Sequence, residues 1–307
     1  MNTQKTYINP VCEGADPFVL LHDGKYYLYA TNKSNAGYVV FESDDLINWK
    51  DMGFCLKKGD VKGDVVKISN FYYGFWAPEV LYHNEKFYMI YTVDNHIAVA
   101  ISESPLGPFV QDEKKWLLEK TAIDGHFFKD DDGSVYLYYR STEINRIAGV
   151  KMNPDMMSVD ESTDTVLITP GEFPWEETIK GEIGTEGPFV LKHKGKYYLT
   201  YSANGYTDIN YAVGYAISDS PLGKYKKYEG NPILKRSDTV YGTGHHSFTT
   251  SKDGKTLVCV YHCHNSIEKV HPRMICIDVA EFVPSEDSTD DILVIYGPTS
   301  TEMPVIN

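Results

Sequence analysis

The sequence predicts an all-β fold, a five-bladed β-propeller with about four antiparallel strands in each blade. One sequence pattern recurs five times along the 307 residues. The copies begin about 47 to 62 residues apart, which leaves room for four strands and their turns. No segment shows the apolar period of an amphipathic helix. Repeated sheets that cannot bury both faces alone must close around an axis, which favours a propeller over a solenoid or a sandwich.

Each copy of the pattern predicts a β-hairpin. It consists of a polar or acidic start, an apolar stretch, a short turn and an aromatic-rich stretch that alternates. The turns contain Asp-Gly or similar pairs, which between alternating apolar runs are the strongest local signal for a hairpin. The five copies read ADPFVLLHDGKYYLYAT from Ala15, APEVLYHNEKFYMIYT from Ala77, DGHFFKDDDGSVYLYY from Asp124, EGPFVLKHKGKYYLTYS from Glu186 and HHSFTTSKDGKTLVCVYH from His245.

A second pattern follows three of the hairpins and predicts the outer half of a blade. It reads FESDDLINW at residues 41–49, AISESPLGPF at 100–109 and AISDSPLGKY at 216–225. We interpret it as a third strand, a tight turn and an aromatic residue at the start of a fourth strand. Near the C-terminus, DILVIYGP at residues 291–298 is expected to complete or cover the last blade. Because no linker divides the chain, we expect residues 1–307 to form a single domain without a C-terminal β-sandwich.

Composition narrows both the class of protein and the class of ligand. Apolar residues make up 42% and charged residues 23% of the chain, which excludes disordered and low-complexity proteins. Lys and Arg total 29 against 43 for Asp and Glu, and the resulting net charge of −14 argues against nucleic acid or an anionic membrane as partner. The expected partner is a neutral ligand, such as a small oligosaccharide.

The N-terminus and the cysteines predict a cytoplasmic protein. No apolar run is long enough to span a membrane, and the start, MNTQKTYINPVCEGADPF, lacks the basic and apolar regions of a signal peptide. The five cysteines are an odd number without a CxxC pair, which favours reduced thiols.

The residues that begin the five hairpins are expected to meet near the propeller axis, because the innermost strands line the central channel. Asp16, Asp124 and Glu186 bring carboxylates together from distant parts of the chain. Converging carboxylates repel one another, so the cluster is unfavourable unless a function uses it. Two carboxyls that flank a bond, one as proton donor and one activating water, are the arrangement for glycoside hydrolysis. The remaining starts are the Ala77-Pro78-Glu79 group and His245.

Aromatic and histidine side chains provide further candidate contacts. Phe75 and Trp76 directly precede a channel strand and are expected to form a stacking platform for a sugar ring. His262 and His264 flank Cys263 and lie on one face of a predicted strand. Since no second pair of ligands stands at a recognisable spacing, packing within a blade is favoured over a zinc site.

At these positions the sequence resembles glycoside hydrolase family 43, and the resemblance extends across nearly the whole chain. It rests on five motifs in order, GADPFVL, WAPEV, IDGHFF, TEGPFV and GTGHHSF. The resemblance implies a five-bladed propeller that hydrolyses pentose-containing plant polysaccharides or oligosaccharides, with inversion at the anomeric carbon. Its setting would be carbohydrate metabolism and hemicellulose degradation.

The resemblance also implies roles for the carboxyl groups. Asp16 matches the general base and Glu186 the general acid. Asp124 matches a third carboxylate, which tunes the pKa of the acid and orients the substrate. These roles require no cofactor.

Three other positions match residues that contact substrate or metal in the family. Trp76 resembles an active-site aromatic residue, and Arg273 resembles an arginine that reaches the substrate. His245 matches a histidine near the axis that in several members helps to hold a calcium ion or a water cluster. A Ca²⁺ ion at the axis is therefore an expectation that follows from the resemblance.

Together these features predict an inverting, exo-acting glycosidase that releases pentose from plant-derived oligosaccharides, with α-L-arabinofuranosidase as the leading activity. The alternatives within the class are a β-xylosidase or a dual-specificity pentosidase, followed by an endo-arabinanase. The alternative from another class is a non-catalytic carbohydrate-binding propeller, which would use the carboxylates only as hydrogen-bond acceptors.

Overall fold

The computed structural model describes residues 5–58, 74–111, 116–177, 181, 184–286 and 288–306, and within them the chain is almost entirely β-structure. Five antiparallel sheets form the blades of a propeller, which confirms the predicted fold class. Helical conformation in these ranges is limited to the short 3-10 turn Pro174–Glu176 and to Lys58. The same ranges contain no helix that is long and apolar enough to cross a membrane.

The strands follow one another around the ring in chain order. Two short strands, β1 (Thr6–Tyr7) and β2 (Cys12–Glu13), come first. Blade 1 consists of β3 (Ala15–His22), β4 (Lys25–Thr31), β5 (Gly37–Ser43) and β6 (Lys50–Lys57). Blade 2 consists of β7 (Phe75–His83), β8 (Lys86–Val93) and β9 (His96–Ser102), with an isolated bridge from Ile101 to Val110 at its outer edge.

The other three blades repeat this order. Blade 3 consists of β10 (Ala122–Lys129), β11 (Val135–Ser141), β12 (Arg146–Met152) and β13 (Val159–Ile168). Blade 4 consists of β14 (Thr185–His193), β15 (Lys196–Ala203), β16 (Ala212–Ser218) and β17 (Lys226–Lys227). Blade 5 contains β18 (Gly244–Thr250), β19 (Leu257–Cys263) and β20 (Met274–Val283), followed by β21 (Ile292–Ile295) and β22 (Met303–Pro304).

The first strand of each blade is the innermost one, because β3, β7, β10, β14 and β18 contact one another around the axis. Three of the five hairpins close with two-residue turns in which both residues have positive φ, a geometry that matches strand twist. These turns are Asp23-Gly24, Asn84-Glu85 and Lys194-Gly195. The hairpins of blades 3 and 5 have longer turns at residues 130–134 and 251–256. All five predicted hairpins are present.

The ring is closed by the N-terminal segment. β2 pairs with one edge of β20 in blade 5, and β1 pairs with β22. β21 pairs farther along β20, so the sequence DILVIYGP contributes a strand to the last blade, as predicted. The first and last strands of the described chain are therefore held at the same blade.

Tyrosine fills the space between blades. The chain has 24 tyrosines, and several bury the ring while the hydroxyl donates to a backbone carbonyl of a neighbouring blade. Tyr29 donates to the carbonyl of Pro105 at 2.6 Å, and Tyr138 donates to that of Pro221 at 2.7 Å. Both carbonyls belong to the Ser-Pro-Leu-Gly turns of the second sequence pattern. A buried ring with a satisfied hydroxyl thus docks each of these turns onto the preceding blade.

An asparagine ties the closing segment to blade 5. The side-chain amide of Asn9 donates to the carbonyl of Ile277 at 2.8 Å, and its oxygen accepts from the Ile277 N–H at 3.0 Å. Asn231 makes the same pair of bonds with Tyr215 in blade 4, at 2.8 and 3.0 Å. Each asparagine side chain therefore makes the two backbone hydrogen bonds that a residue of a neighbouring strand would make at the edge of the blade.

We expect Asn9→Ala to lower the free energy of unfolding by about 1–3 kcal/mol, because the buried N–H of Ile277 loses its partner while the Ile277 carbonyl keeps only the hydroxyl of Tyr7, at 3.2 Å. The shift of the urea midpoint, at unchanged slope, measures this effect. Asn265→Ala is the control, since that side chain is exposed, and should change the free energy by less than about 0.5 kcal/mol. An Asn9→Ala midpoint equal to that of the control would contradict the closing role of Asn9.

Candidate active site

Every innermost strand begins with a β-bulge, and each bulge contains one residue with positive φ. The register of the inner hairpin shifts at this point in all five blades. Such backbone is uncommon and unfavourable for residues other than glycine, and five occurrences at one position show that the blade imposes it. The five residues and their φ angles are Asp16 at 51°, Ala77 at 44°, Asp124 at 56°, Gly187 at 55° and His245 at 44°.

The bulge explains the offset of Glu186 in the repeat. In blade 4 the left-handed position belongs to Gly187, so Glu186 stands one residue earlier, as the sequence pattern predicts. A Cβ atom added to Gly187 would lie 3.3 Å from the ring of His245, so glycine also permits the close approach of that histidine.

A cavity of about 900 Å³ opens at this end of the axis. Its lining contains the predicted carboxyls and most of the predicted contact residues, namely Asp16, Asp124, Glu186, Trp76, His245 and Arg273. The lining also contains residues that the sequence did not single out, among them Arg140, Asn95, Tyr206 and His271. The structure thus assembles one site from all five blades.

Asp16 is buried and surrounded by hydrogen-bond donors. Arg273 donates from Nη1 to Oδ1 at 2.8 Å and from Nη2 to Oδ2 at 3.4 Å. His245 Nδ1 and His262 Nδ1 lie 3.3 and 3.4 Å from the same Oδ1. Burial by itself would raise the pKa of Asp16, but the positive charges of Arg273 and His245 outweigh burial and hold the pKa well below its usual value. Asp16 is therefore ionised over the whole neutral range.

Asp124 has the opposite electrostatic character. Burial, together with the negative charges of Glu186 and Asp16, raises the pKa of Asp124 to about 6, although His245 and Arg140 act in the other direction. Its Oδ2 accepts the backbone N–H of Gly187 at 3.1 Å.

His245 stands between the two aspartates. Its Nδ1 lies 3.3 Å from Oδ1 of Asp16 and 3.9 Å from Oδ2 of Asp124. Burial would lower the pKa of His245, but the carboxylates of Asp16, Asp124 and Glu186 raise it above its usual value. A positive imidazolium there offsets part of the negative charge of the cluster.

Glu186 accepts hydrogen bonds at both carboxyl oxygens. Arg140 donates from Nη1 to Oε2 at 2.6 Å, and the hydroxyl of Tyr211 donates to Oε1 at 2.8 Å. Both oxygens of Glu186 therefore act as hydrogen-bond acceptors. Neither Arg140 nor Tyr211 was predicted from the sequence.

The second strands of the blades supply a repeated contact to the bulges. In each blade, one residue of the second strand pairs with the residue that precedes the bulge, and its side chain reaches the bulge of the next blade. Thr31 Oγ1 accepts the N–H of Ala77 at 2.9 Å, and Ser202 Oγ accepts that of His245 at 2.8 Å. The five residues at this position are Thr31, Thr92, Arg140, Ser202 and His262.

Three of these five residues carry a hydroxyl group. The other two, Arg140 and His262, do not, and both contact a candidate catalytic residue. His262 Nδ1 lies 3.2 Å from the backbone N of Asp16, and its Nε2 lies 3.3 Å from Nη1 of Arg273. Arg140 contacts the carboxyl of Glu186 instead of a backbone N–H. Comparison of the five repeats at this position would single out both residues. His262 thus packs within its blade, as predicted, and also contacts Asp16 and Arg273.

The structure places Phe75 away from the cavity and corrects the prediction that it contacts a sugar. Its side chain is only 2% exposed and packs in the core against the rings of Tyr38 and Tyr91. Successive residues of a strand face opposite sides, so Phe75 points into the core when Trp76 faces the cavity. Glu79, another residue at a repeat start, is not part of the cavity lining, and its Oε2 lies 2.7 Å from His126 Nδ1.

The surroundings of His245 bear on the metal ion expected at the axis. Within the described ranges, no three His, Cys, Asp or Glu side chains are grouped so that they could hold a metal ion. Nδ1 of His245 instead faces two carboxylates. The described side chains do not by themselves build a calcium site, and the calcium ion expected at His245 stays a prediction.

Comparison with known proteins agrees with this fold and site. The pattern described as Glycosyl hydrolases family 43 matches residues 7–285. A solved structure described as an endo-1,4-beta-xylanase from Bacteroides thetaiotaomicron is 37% identical, with a TM-score of 0.84 over 99% of this chain and all of that one. A beta-D-galactofuranosidase of Aspergillus niger is 28% identical over 88% of this chain and 80% of its own. A xylosidase/arabinosidase of Bacteroides ovatus is 26% identical over 97% and 99%.

The family match, together with the carboxyls that converge at the axis of this five-bladed propeller, makes the chain a glycoside hydrolase, an enzyme that cleaves O-glycosyl bonds. The chain belongs to glycoside hydrolase family 43.

We expect Arg273→Met to raise the pKa of Asp16, because burial then acts without the opposing guanidinium charge. A neighbouring opposite charge lowers a carboxyl pKa by about 1–3 units, so the acid limb of the kcat/KM profile should move up by about that amount. The limb moves to higher pH because Asp16 must be ionised to act, and a higher pKa means that it becomes protonated at a higher pH. Arg236→Met, at an exposed arginine, is the control and should leave the limb in place. An unmoved limb in Arg273→Met would contradict the electrostatic role of Arg273.

Proposed function

We propose that the protein is an inverting, exo-acting glycosidase that releases single pentose units from oligosaccharides, with α-L-arabinofuranosides as the leading substrates. The observation that carries the proposal is the unequal environment of the carboxyls around one cavity. Asp16 is held ionised by Arg273 and His245, whereas Glu186 lies in another blade with a separate set of donors. Carboxyls with separate environments suit an acid and a base that act on opposite sides of a bond.

The proposed reaction uses only the chain's own carboxyls and a water molecule. Asp16 takes a proton from water, and the water oxygen attacks the anomeric carbon from the face opposite to the leaving group. As the bond from that carbon to the glycosidic oxygen breaks, Glu186 gives its proton to the oxygen. Asp124 orients the sugar and places a carboxyl beside Glu186. The sequence resemblance supplies this division of roles, and the low pKa of Asp16 supports its role as base.

Two of the activities named among the relatives, galactofuranosidase and arabinosidase, can be explained by recognition of one furanose ring. α-L-Arabinofuranose and β-D-galactofuranose share the configuration of their ring carbons and differ in the exocyclic group, so one pocket can accept both. Trp76 lines the cavity and offers an apolar face for the ring. The carboxyls of the cavity and the net charge of −14 disfavour phosphorylated sugars.

One side of the cavity favours exo action. Tyr206, on the loop after β15, lies over the guanidinium of Arg273 at 4.7 Å and beside the ring of His271 at 6.1 Å. The loops of blades 4 and 5 therefore meet at the rim. A wall at this point suits a pocket that holds the end of a sugar chain rather than an open groove. A β-xylosidase is the second candidate, since the xylosidase/arabinosidase relative aligns over 97% of this chain.

The direct test compares the 4-nitrophenyl glycosides of α-L-arabinofuranose, β-D-galactofuranose and β-D-xylopyranose, together with arabino-oligosaccharides and xylan. We expect release from the arabinofuranoside and single arabinose units from the oligosaccharide. Release from the xyloside alone would replace the proposal by a β-xylosidase. Shortening of xylan without release of monomer would replace it by an endo-acting enzyme, and sugar binding without any release would indicate a binding propeller.

We expect Asp16→Asn to lower kcat by about 10²–10⁴-fold on all active substrates, because the water loses its general base. Glu186→Gln should lower kcat strongly on oligosaccharides and less on nitrophenyl glycosides, whose leaving group needs little protonation. Glu268→Gln changes an exposed carboxyl outside the lining of the cavity and is the control, with near-normal kcat. Undiminished turnover in Asp16→Asn would overturn its assignment as the base.

A further inference from the structure

Arg140 and Tyr211 donate to the two carboxyl oxygens of Glu186, and we call this pair of donors the clamp. The contact with Arg140 crosses a blade boundary. Arg140 belongs to β11 of blade 3, and Glu186 belongs to β14 of blade 4. The side chains are 25% and 14% exposed, so the ion pair is largely shielded from water. A charge-assisted hydrogen bond of 2.6 Å in such surroundings is stronger than one on the surface.

Both donors of the clamp are held by their own neighbours. Arg140 Nη2 donates to Oδ1 of Asn145 at 3.0 Å, which orients the guanidinium toward Glu186. Tyr211 is fully buried, and its ring stacks on that of His262 at 5.6 Å. Gly244 packs so closely that an added Cβ would lie 2.2 Å from the Tyr211 ring. Both donors are therefore already held in place before the reaction begins.

The clamp replaces a structural contact that other blades retain. At the position of Arg140, blades 1, 2 and 4 carry a hydroxyl that accepts the N–H of the next bulge. A guanidinium cannot accept, so the N–H of Gly187 donates to Oδ2 of Asp124 instead. The exchange of a hydroxyl for arginine therefore changes the surroundings of both Glu186 and Asp124.

We propose that Arg140 and Tyr211 are positioning residues for the general acid, and that they stabilise the carboxylate which Glu186 becomes as it gives its proton to the leaving oxygen. The structure has the arrangement reached after that transfer, with an acceptor oxygen of Glu186 on each donor. The proposal rests on the assignment of Glu186 as the acid.

This role makes the contribution of Arg140 depend on the leaving group. A sugar hydroxyl is a poor leaving group, so proton transfer is well advanced in the transition state and Glu186 carries much of its negative charge. A nitrophenol leaves with little protonation, and Glu186 then stays close to neutral. Donors aimed at charge that develops in the transition state contribute about 10²–10³-fold to kcat. That contribution should appear only with the poor leaving group.

The experiment measures kcat/KM of Arg140→Met and Tyr211→Phe on aryl glycosides of the preferred sugar with phenols of increasing pKa, and on the corresponding disaccharide. We expect a loss of about 10²-fold for Arg140→Met on the disaccharide, and a small loss on the glycoside of the most acidic phenol. Tyr211→Phe, which keeps the ring packing, should show the same trend with a smaller loss. Thr31→Val removes the equivalent contact in blade 1 and should affect all substrates equally.

Chemical rescue provides a second readout. Guanidinium ion added to Arg140→Ala should restore part of the activity on the disaccharide and none in Thr31→Val. The proposal is overturned if Arg140→Met and Tyr211→Phe each lose the same factor in kcat/KM on all leaving groups and guanidinium ion gives no rescue. Because Tyr211→Phe keeps the ring packing, this outcome decides the question even if Arg140→Met folds poorly. Glu186→Ala is measured in parallel. A loss that is equal across leaving groups in Glu186→Ala would instead overturn its assignment as the acid.

Discussion

Five inner strands meet around one axis, and each begins with a residue in the left-handed region. This constraint governs the rest of the site. The bulge turns the chain away from the regular sheet at the mouth of the channel, where three of the left-handed residues, Asp16, Asp124 and His245, line the cavity. The strain at each bulge is supported by hydrogen bonds and packing from the neighbouring blade, so the strands are fixed in pairs around the ring. A site built this way is rigid because its parts belong to different blades that hold one another.

The carboxyls at the axis are tolerated because cationic side chains lie against them. Asp16 is paired with Arg273, Glu186 with Arg140, and His245 lies between the two aspartates. The chain as a whole is strongly acidic, yet the site itself carries nearly balanced charge. Separate partners also give the carboxyls separate chemistry, since Asp16 is kept ionised while the pKa of Asp124 rises to about 6.

Local sequence signals predict the fold and the positions of the carboxyls well. The five hairpins depend on alternation and turn residues, which act within about a dozen positions, and the one-residue offset of Glu186 is visible by aligning the repeats. The partners of the carboxyls depend on cross-strand register, which the pattern does not provide. Arg140 holds the position in the third repeat that Thr31 holds in the first, but the repeat does not show that its side chain contacts Glu186 instead of a backbone N–H. The error at Phe75 has a simpler cause, because adjacent residues of a strand cannot both face the cavity.

The central claim is that Asp16 activates water on the face opposite to the departing oxygen. The most direct measurement is the anomeric configuration of the first sugar released from the preferred glycoside, followed by proton NMR before mutarotation. Inversion is the expected result, with the β-anomer of L-arabinofuranose appearing first from an α-L-arabinofuranoside and much slower release by Asp16→Asn. Retention of configuration would contradict the account, because it would require a carboxyl to attack the sugar and form a covalent intermediate.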